Sequence, residues 1–143
     1  MNREILFRGQ KINSEEWVYG SLIETNQFIK HMPWLHSKFW IVTSSFGNGG
    51  WFNVRSRFHV NSKTVGQYIG LKDKNGVKIF ECDVCKNDVY WDYPREIGLN
   101  YLNTVCSIDK DGSQYMFYMS TLDNIEIIGN IHQDQKAKTW TQK

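Results

Sequence analysis

Short runs of β-branched and aromatic residues alternate with polar, glycine-containing breaks along the whole chain, the pattern of a protein made of strands and turns. Ile5 to Arg8 and Trp17 to Ile23 flank the polar stretch Gln10 to Glu16 and are predicted to form an opening hairpin. A third run, Phe39 to Thr43, stops at Ser44 to Gly50, whose glycines and asparagine suit positive backbone φ, so an exposed and mobile loop is expected there. Asn53 to Val60 alternates, which predicts a half-buried strand with Val54, Phe58 and Val60 on one face and Arg55, Arg57 and His59 on the other. Asn61 to Thr64 offers capping side chains for a brief helical turn ahead of Val65 to Gly70.

Two tight-turn signals follow. Asn75-Gly76 lies between Leu71 and Ile79, and Asp111-Gly112 lies between the runs 103–108 and 114–118. Both suit two-residue hairpin turns in which each central residue takes positive φ. The last β-branched run, Ile125 to Ile131, is predicted to close the sheet, and the polar stretch 134–143 is expected to fray. No repeat or low-complexity segment interrupts the pattern, and the two prolines, Pro33 and Pro94, fall in predicted loops. The expected fold is mainly β: a small antiparallel barrel or curled sheet built from short strands and hairpins with minor helical turns, forming one domain over residues 1–143.

Composition agrees with one core. A chain of 143 residues buries roughly 68–70% of its unfolded surface. Six Trp, seven Tyr and eight Phe supply large rings to fill that core. With 17 Lys and Arg against 15 Asp and Glu, no chain-wide field announces a nucleic-acid or membrane partner, so a basic footprint has to be local. The start, Met1-Asn2-Arg3-Glu4-Ile5, lacks the apolar run of a signal peptide, and no stretch is apolar for long enough to cross a bilayer. A cytoplasmic, membrane-free protein is expected, and the odd count of three cysteines fits reduced thiols.

The central run Thr64-Val65-Gly66-Gln67-Tyr68-Ile69-Gly70-Leu71-Lys72-Asp73-Lys74-Asn75-Gly76-Val77-Lys78-Ile79-Phe80-Glu81-Cys82-Asp83-Val84 resembles the signature of the YopX family. In that family a Gln-Tyr-Thr-Gly-Leu-Lys-Asp-Lys-Asn-Gly run leads into Ile-Tyr/Phe-Glu-Gly-Asp-Ile-Val. Phe7-Arg8-Gly9 with Glu16 to Gly20 is similar to the family's opening, and Ile125 to Ile131 is similar to its close. The resemblance implies a phage or prophage context and a β-rich fold that includes a small barrel, and it carries no assigned activity. Two departures stand out. Cys82 occupies a position where Gly is usual, which questions a tight backbone there, and His132-Gln133-Asp134-Gln135 replaces the usual ending Tyr-x-Asn-Pro-Glu, which questions the C-terminal turn.

Candidate chemistry is sparse. Cys82 and Cys85 have the spacing of a metal knuckle, with His31 and His36 as the nearest candidates to complete a site, but no second pair matches a zinc module, and buried or incidental thiols are the simpler account. Glu81 and Asp83, two apart, would share a strand face as a carboxylate pair, but a solvated, edge-guarding role is the simpler account. Phosphate loops, dinucleotide fingerprints, zinc-protease helices and nucleophile elbows are absent, so no catalytic residue or cofactor is assigned, and a metal-dependent enzyme using Cys82, Cys85 and a histidine is the weakest of the three readings.

Two binding readings remain. The first is a non-enzymatic protein-binding or self-assembly module, acting on a host factor or on copies of itself, with Trp34, Phe39, Trp40 and Trp51 as interface candidates. The second is a nucleic-acid-binding small barrel in which Arg55, Arg57, His59, Lys72, Lys74 and Lys78 meet phosphates and neighbouring rings stack on bases. The first is favoured, because the near-neutral net charge weighs against the second.

Overall fold

A computed structural model of the chain describes residues 4–25, 39–46, 52–100, 105–116 and 123–133, the side chains at positions 45, 46, 52 and 53 excepted. The candidates His31, His36, Trp34 and Trp51, the glycine loop from Gly47 to Gly50 and the tail 134–143 lie outside the described residues. The protein is mainly β, as the alternation predicts, and its strands pair antiparallel. Its contacts divide it into two compact units, residues 4–67 and the chain from Tyr68 onward together with the first three residues.

The N-terminal unit contains β1 (Phe7–Gln10), β2 (Trp17–Glu24), β3 (Phe39–Phe46), β4 (Phe52–His59), a 3-10 turn (Ser62–Thr64) and the start of β5 (Gly66–Lys72), in the sheet order β4-β3-β2-β1-β5. Asn61 caps the 3-10 turn as expected, its side chain accepting the Lys63 N–H at 3.1 Å. The sheet curls: beyond β1, Lys11 forms a bridge with Val60, the Ile12 N–H donates to the His59 carbonyl, and the Asn61 N–H donates to the Gln10 carbonyl. Val18, Ile41 and Val60 are buried on the inner face, with Phe7, Leu22, Phe39, Phe58 and Val65 packed against them. Fully burying a side chain such as Ile41 or Val60 contributes about 1.5–3 kcal/mol. Gly20 is required at this crossing of strands, because a Cβ there would stand 2.2 Å from the Val42 carbonyl oxygen.

One expectation for β4 fails. Val42 pairs with Arg57 and Thr43 with Ser56, but Ser44 pairs with Val54, so the register steps over Arg55 as an extra residue of β4. This is a β-bulge, and it shifts the alternation by one. Val54, expected beside Phe58 and Val60, lies instead on the opposite face and is 52% exposed.

The C-terminal unit holds the rest of β5, then β6 (Lys78–Phe80), β7 (Asp83–Asn87), β8 (Arg95–Leu99), β9 (Val105–Ile108), β10 (Gln114–Met116) and β11 (Ile125–Asn130). Five of these strands form a sheet in the order β10-β9-β8-β7-β11. Ile69, Ile79, Cys85, Ile97 and Ile125 make the core of the unit, joined by Leu71, Trp91, Val105 and Ile127. The central strands are buried on both faces, with Cys85 and Ile97 on one and Val84 and Cys106 on the other.

Both predicted hairpins form, but with a different turn. In each, an aspartate carbonyl accepts the N–H of a glycine three residues on, Asp73 from Gly76 at 2.9 Å and Asp109 from Gly112 at 2.8 Å. Only the glycines take positive φ, at 80° and 84°. The turns are therefore four-residue Asp-Lys-x-Gly units, and Asn75 and Asp111 escape the cost of a left-handed backbone.

At Cys82 the usual glycine's backbone persists without the glycine. Its φ is 66°, the one positive value among the described non-glycine residues. Its N–H donates to the Ile97 carbonyl at 2.8 Å, and its carbonyl accepts the Ile131 N–H and the Asn130 side-chain amide. Asp83, read from sequence as a solvated edge, is instead 1% exposed, and its carboxylate accepts the Phe80 N–H at 2.8 Å. Glu81 precedes β7, so the two carboxylates do not share a strand face. The C-terminal turn also forms despite its altered sequence, with the Asn130 side-chain oxygen accepting the His132 N–H.

Candidate functional site

On β2, β3 and β4 the residues on the face opposite Val18, Ile41 and Val60 form cross-strand rows: Ile23 with Trp40 and His59, and Ser21 with Arg57 across Val42, which is itself buried. The Trp40 and His59 rings stack at 4.7 Å with 22° between their planes. Burial lowers the His59 pKa below its usual value, so at neutral pH this residue offers a ring and not a charge. Its Nε2 is buried without a hydrogen-bond partner in the structure. Arg57 is exposed, and Tyr19 and Ile23 on the same face are 47% and 44% exposed. Toward β1, the buried Arg8 places its guanidinium over the Trp17 ring at 4.8 Å.

The sequence candidates are thus sorted by the strands that carry them. Arg57 and His59 share a face with Trp40, while Arg55 sits in the bulge. Phe39, proposed as an interface residue, packs into the core on the opposite side from Trp40. Lys72, Lys74 and Lys78 belong to the other unit. There Lys74 pairs with Glu126 at 2.5 Å, and Lys78 lies over the Tyr68 ring. The chain's small net charge of +2 conceals a segregation: positions 4–67 carry seven Lys and Arg against four Glu, and positions 68–143 carry nine against eleven Asp and Glu.

In the C-terminal unit a second cluster forms around Arg95. Its guanidinium lies over Tyr115 at 4.4 Å, Trp91 at 5.3 Å and Tyr93 at 5.7 Å, and stands 3.9 Å from the Asp109 carboxylate. The Tyr93 hydroxyl donates to Asp109, and this bond, with burial behind it, holds the phenol above its ordinary pKa. The preceding β7–β8 loop is pinned by Asn87, itself 1% exposed. The Asn87 side-chain oxygen accepts the N–H groups of Val89 and Tyr90, both at 3.1 Å, and its carbonyl accepts that of Trp91 at 3.0 Å. That backbone holds Val89 and Tyr90 in water at 62% and 52% exposure, while on β10 Tyr115 and Met116 are 45% and 62% exposed. Sequence reasoning passed over these residues. The available signal was the run Val89-Tyr90-Trp91-Asp92-Tyr93, three rings in five residues behind an asparagine that can cap a turn.

The thiols are separated by environment. Cys85 is wholly buried in the core and Cys106 is 1% exposed, whereas Cys82 is half-buried in the turn before β7. Burial and the nearby Glu96 push the Cys106 pKa up, and burial alone raises that of Glu96. Among the described residues no three His, Cys, Asp or Glu gather as a metal site, and no helix is long and apolar enough to cross a membrane.

Comparison with curated proteins gives no match. The crystal structure of protein EF1440 from Enterococcus faecalis is similar in fold, with a TM-score of 0.55 at 20% identity, over 92% of this chain and 96% of that one. The family model described as YopX protein matches residues 6–136 and takes in the opening hairpin, the Asp73–Gly76 turn, the Cys82 turn and β11. The chain belongs to the YopX family.

Proposed function

We propose that this chain is a non-enzymatic protein-binding module of phage or prophage type, acting in the bacterial cytoplasm on a host protein or on copies of itself. The observation that carries the reading is the Asn87-pinned loop. Apolar side chains left in water on a backbone already fixed by hydrogen bonds lose little entropy on docking, and Tyr, Trp and Arg are the side chains that dominate binding energy at interfaces. Tyr115 extends the surface, with Arg95 and Asp109 holding its ring in place.

The test is capture of the tagged full chain from its bacterial host under nuclease, alongside a Val89→Ser/Tyr90→Ser double variant, with light scattering across a concentration series. The reading expects either a defined protein retained by the native chain and lost by the variant, or an oligomer that the variant dissociates. A strict monomer whose captured proteins are the same with and without the substitutions would refute it.

A further inference from the structure

The outward face of the N-terminal sheet is chemically unlike the loop that carries the protein-binding reading. At the outward positions 17, 19, 21 and 23 of β2, 40, 42 and 44 of β3, and 54, 57 and 59 of β4, no residue is acidic. Rings and a cation stand together there. Trp40 stacks on a neutral His59, Tyr19 is nearly half exposed, and Arg57 lies two residues along β4 from His59. Neighbouring strands are about 5 Å apart and two residues along a strand span about 7 Å, so position 57 is the next on this face of β4 after His59. This unit also carries the chain's excess of positive charge, seven basic against four acidic residues over positions 4–67.

From this combination we infer that the outward face of β2–β4 binds single-stranded nucleic acid, with Tyr19 and the Trp40–His59 pair as stacking platforms and Arg57 as a phosphate contact. Aromatic faces stack on any base, and cations beside them follow the backbone, so the expected binding is tolerant of sequence and sensitive to salt. A duplex hides its bases from such a face and should bind less well. The bulge contributes by placing Val54 on the same outward face and setting Arg55 between the paired positions at its margin.

The measurement is fluorescence anisotropy of a labelled oligothymidylate and of a duplex of equal length, titrated with the full chain at low and at physiological salt. The expected result is a preference for the single strand and an affinity that falls with added salt. Tyr19→Ala should weaken binding about tenfold. Arg57→Gln should weaken it severalfold and lower the salt slope by about 0.7. Both variants should keep the native circular dichroism and melting temperature, since both residues are exposed. The Val89→Ser/Tyr90→Ser variant should bind the oligonucleotide as the native chain does, so this inference and the protein-binding reading stand or fall separately. It is overturned by no binding at low salt, by equal affinity for the duplex, by indifference to both Tyr19→Ala and Arg57→Gln, or by a nuclease-resistant protein partner that those two variants lose.

Discussion

The turns at Asp73–Gly76 and Asp109–Gly112 share three of four residues, the same closing hydrogen bond and the same positive-φ glycine, yet their aspartates are used differently. The Asp73 carboxylate spends its oxygens on backbone, accepting the N–H groups of Asn75 and Val77 at 2.9 Å each and that of Ile127 at 3.3 Å. The Lys74 N–H donates to the Ile125 carbonyl, so this turn lies along the outer edge of β11 and occupies hydrogen-bonding groups that would otherwise invite another strand. The Asp109 carboxylate accepts one backbone N–H, from Lys110, and otherwise serves side chains, holding Tyr93 and facing Arg95. A single local motif thus acts as a clamp in one place and as the foundation of a surface cluster in the other.

Asp73→Ala should have the largest effect, because it strips the acceptor from three N–H groups at once. We expect a loss of about 3 kcal/mol in urea unfolding, with partner capture unchanged wherever the variant remains folded. Asp109→Ala should cost less, about 2 kcal/mol, but should weaken partner capture, since Arg95 and Tyr93 lose the group that orients them. A variant pair showing the reverse pattern would break the contrast between clamp and foundation.

Gly76→Ala and Gly112→Ala test what the turns have in common. A Cβ would meet nothing within 4 Å at either position, so the cost is the left-handed backbone alone, about 1 kcal/mol and equal in both. Unequal losses would mean that the two turns differ in backbone as well as in use. The smallest effect concerns acid. Burial pushes the Asp73 pKa up, but the hydrogen bonds from Val77, Ile127 and Asn75 outweigh it and hold the folded value below the ordinary one. Its contribution is therefore complete above the unfolded value near pH 4 and is lost as pH falls through the lower folded value. Unfolding followed between about pH 5 and pH 2 should show a shallower acid decline for Asp73→Asn than for the native chain.

Most strands were legible because their faces differ: the opening hairpin, β3, β9 and β11 all read directly from β-branched and aromatic runs. β8 was not. Its Arg-Glu-Ile-Gly-Leu sequence carries two charges and a glycine, yet it is a central strand. Arg95 is sheltered by rings, and Gly98 leaves room for Ile108, which would lie 2.6 Å from a Cβ there. Both reasons depend on partners remote in sequence. The Asn-Gly and Asp-Gly pairs located the hairpins but not the turn type, because the aspartates two residues before them set the closing bond. Of the candidate sites, the grouping of Arg57 with His59 was readable from alternation. The exposure of Val89 and Tyr90 was not, since it follows from a buried asparagine fixing the loop.

The bulge at Arg55 also has a meaning for the coding sequence. Each residue from Trp40 to Thr43 already has its opposite number on β4, and so does each from Ser44 to Phe46. Removing codon 55 would join two stretches that are already in step, leaving each remaining cross-strand partner where it was. A single-residue deletion inside a strand ordinarily turns every following side chain to the wrong face. Here the same lesion would straighten the ladder, making position 55 a place where this chain can lose a residue and keep its strand pairing.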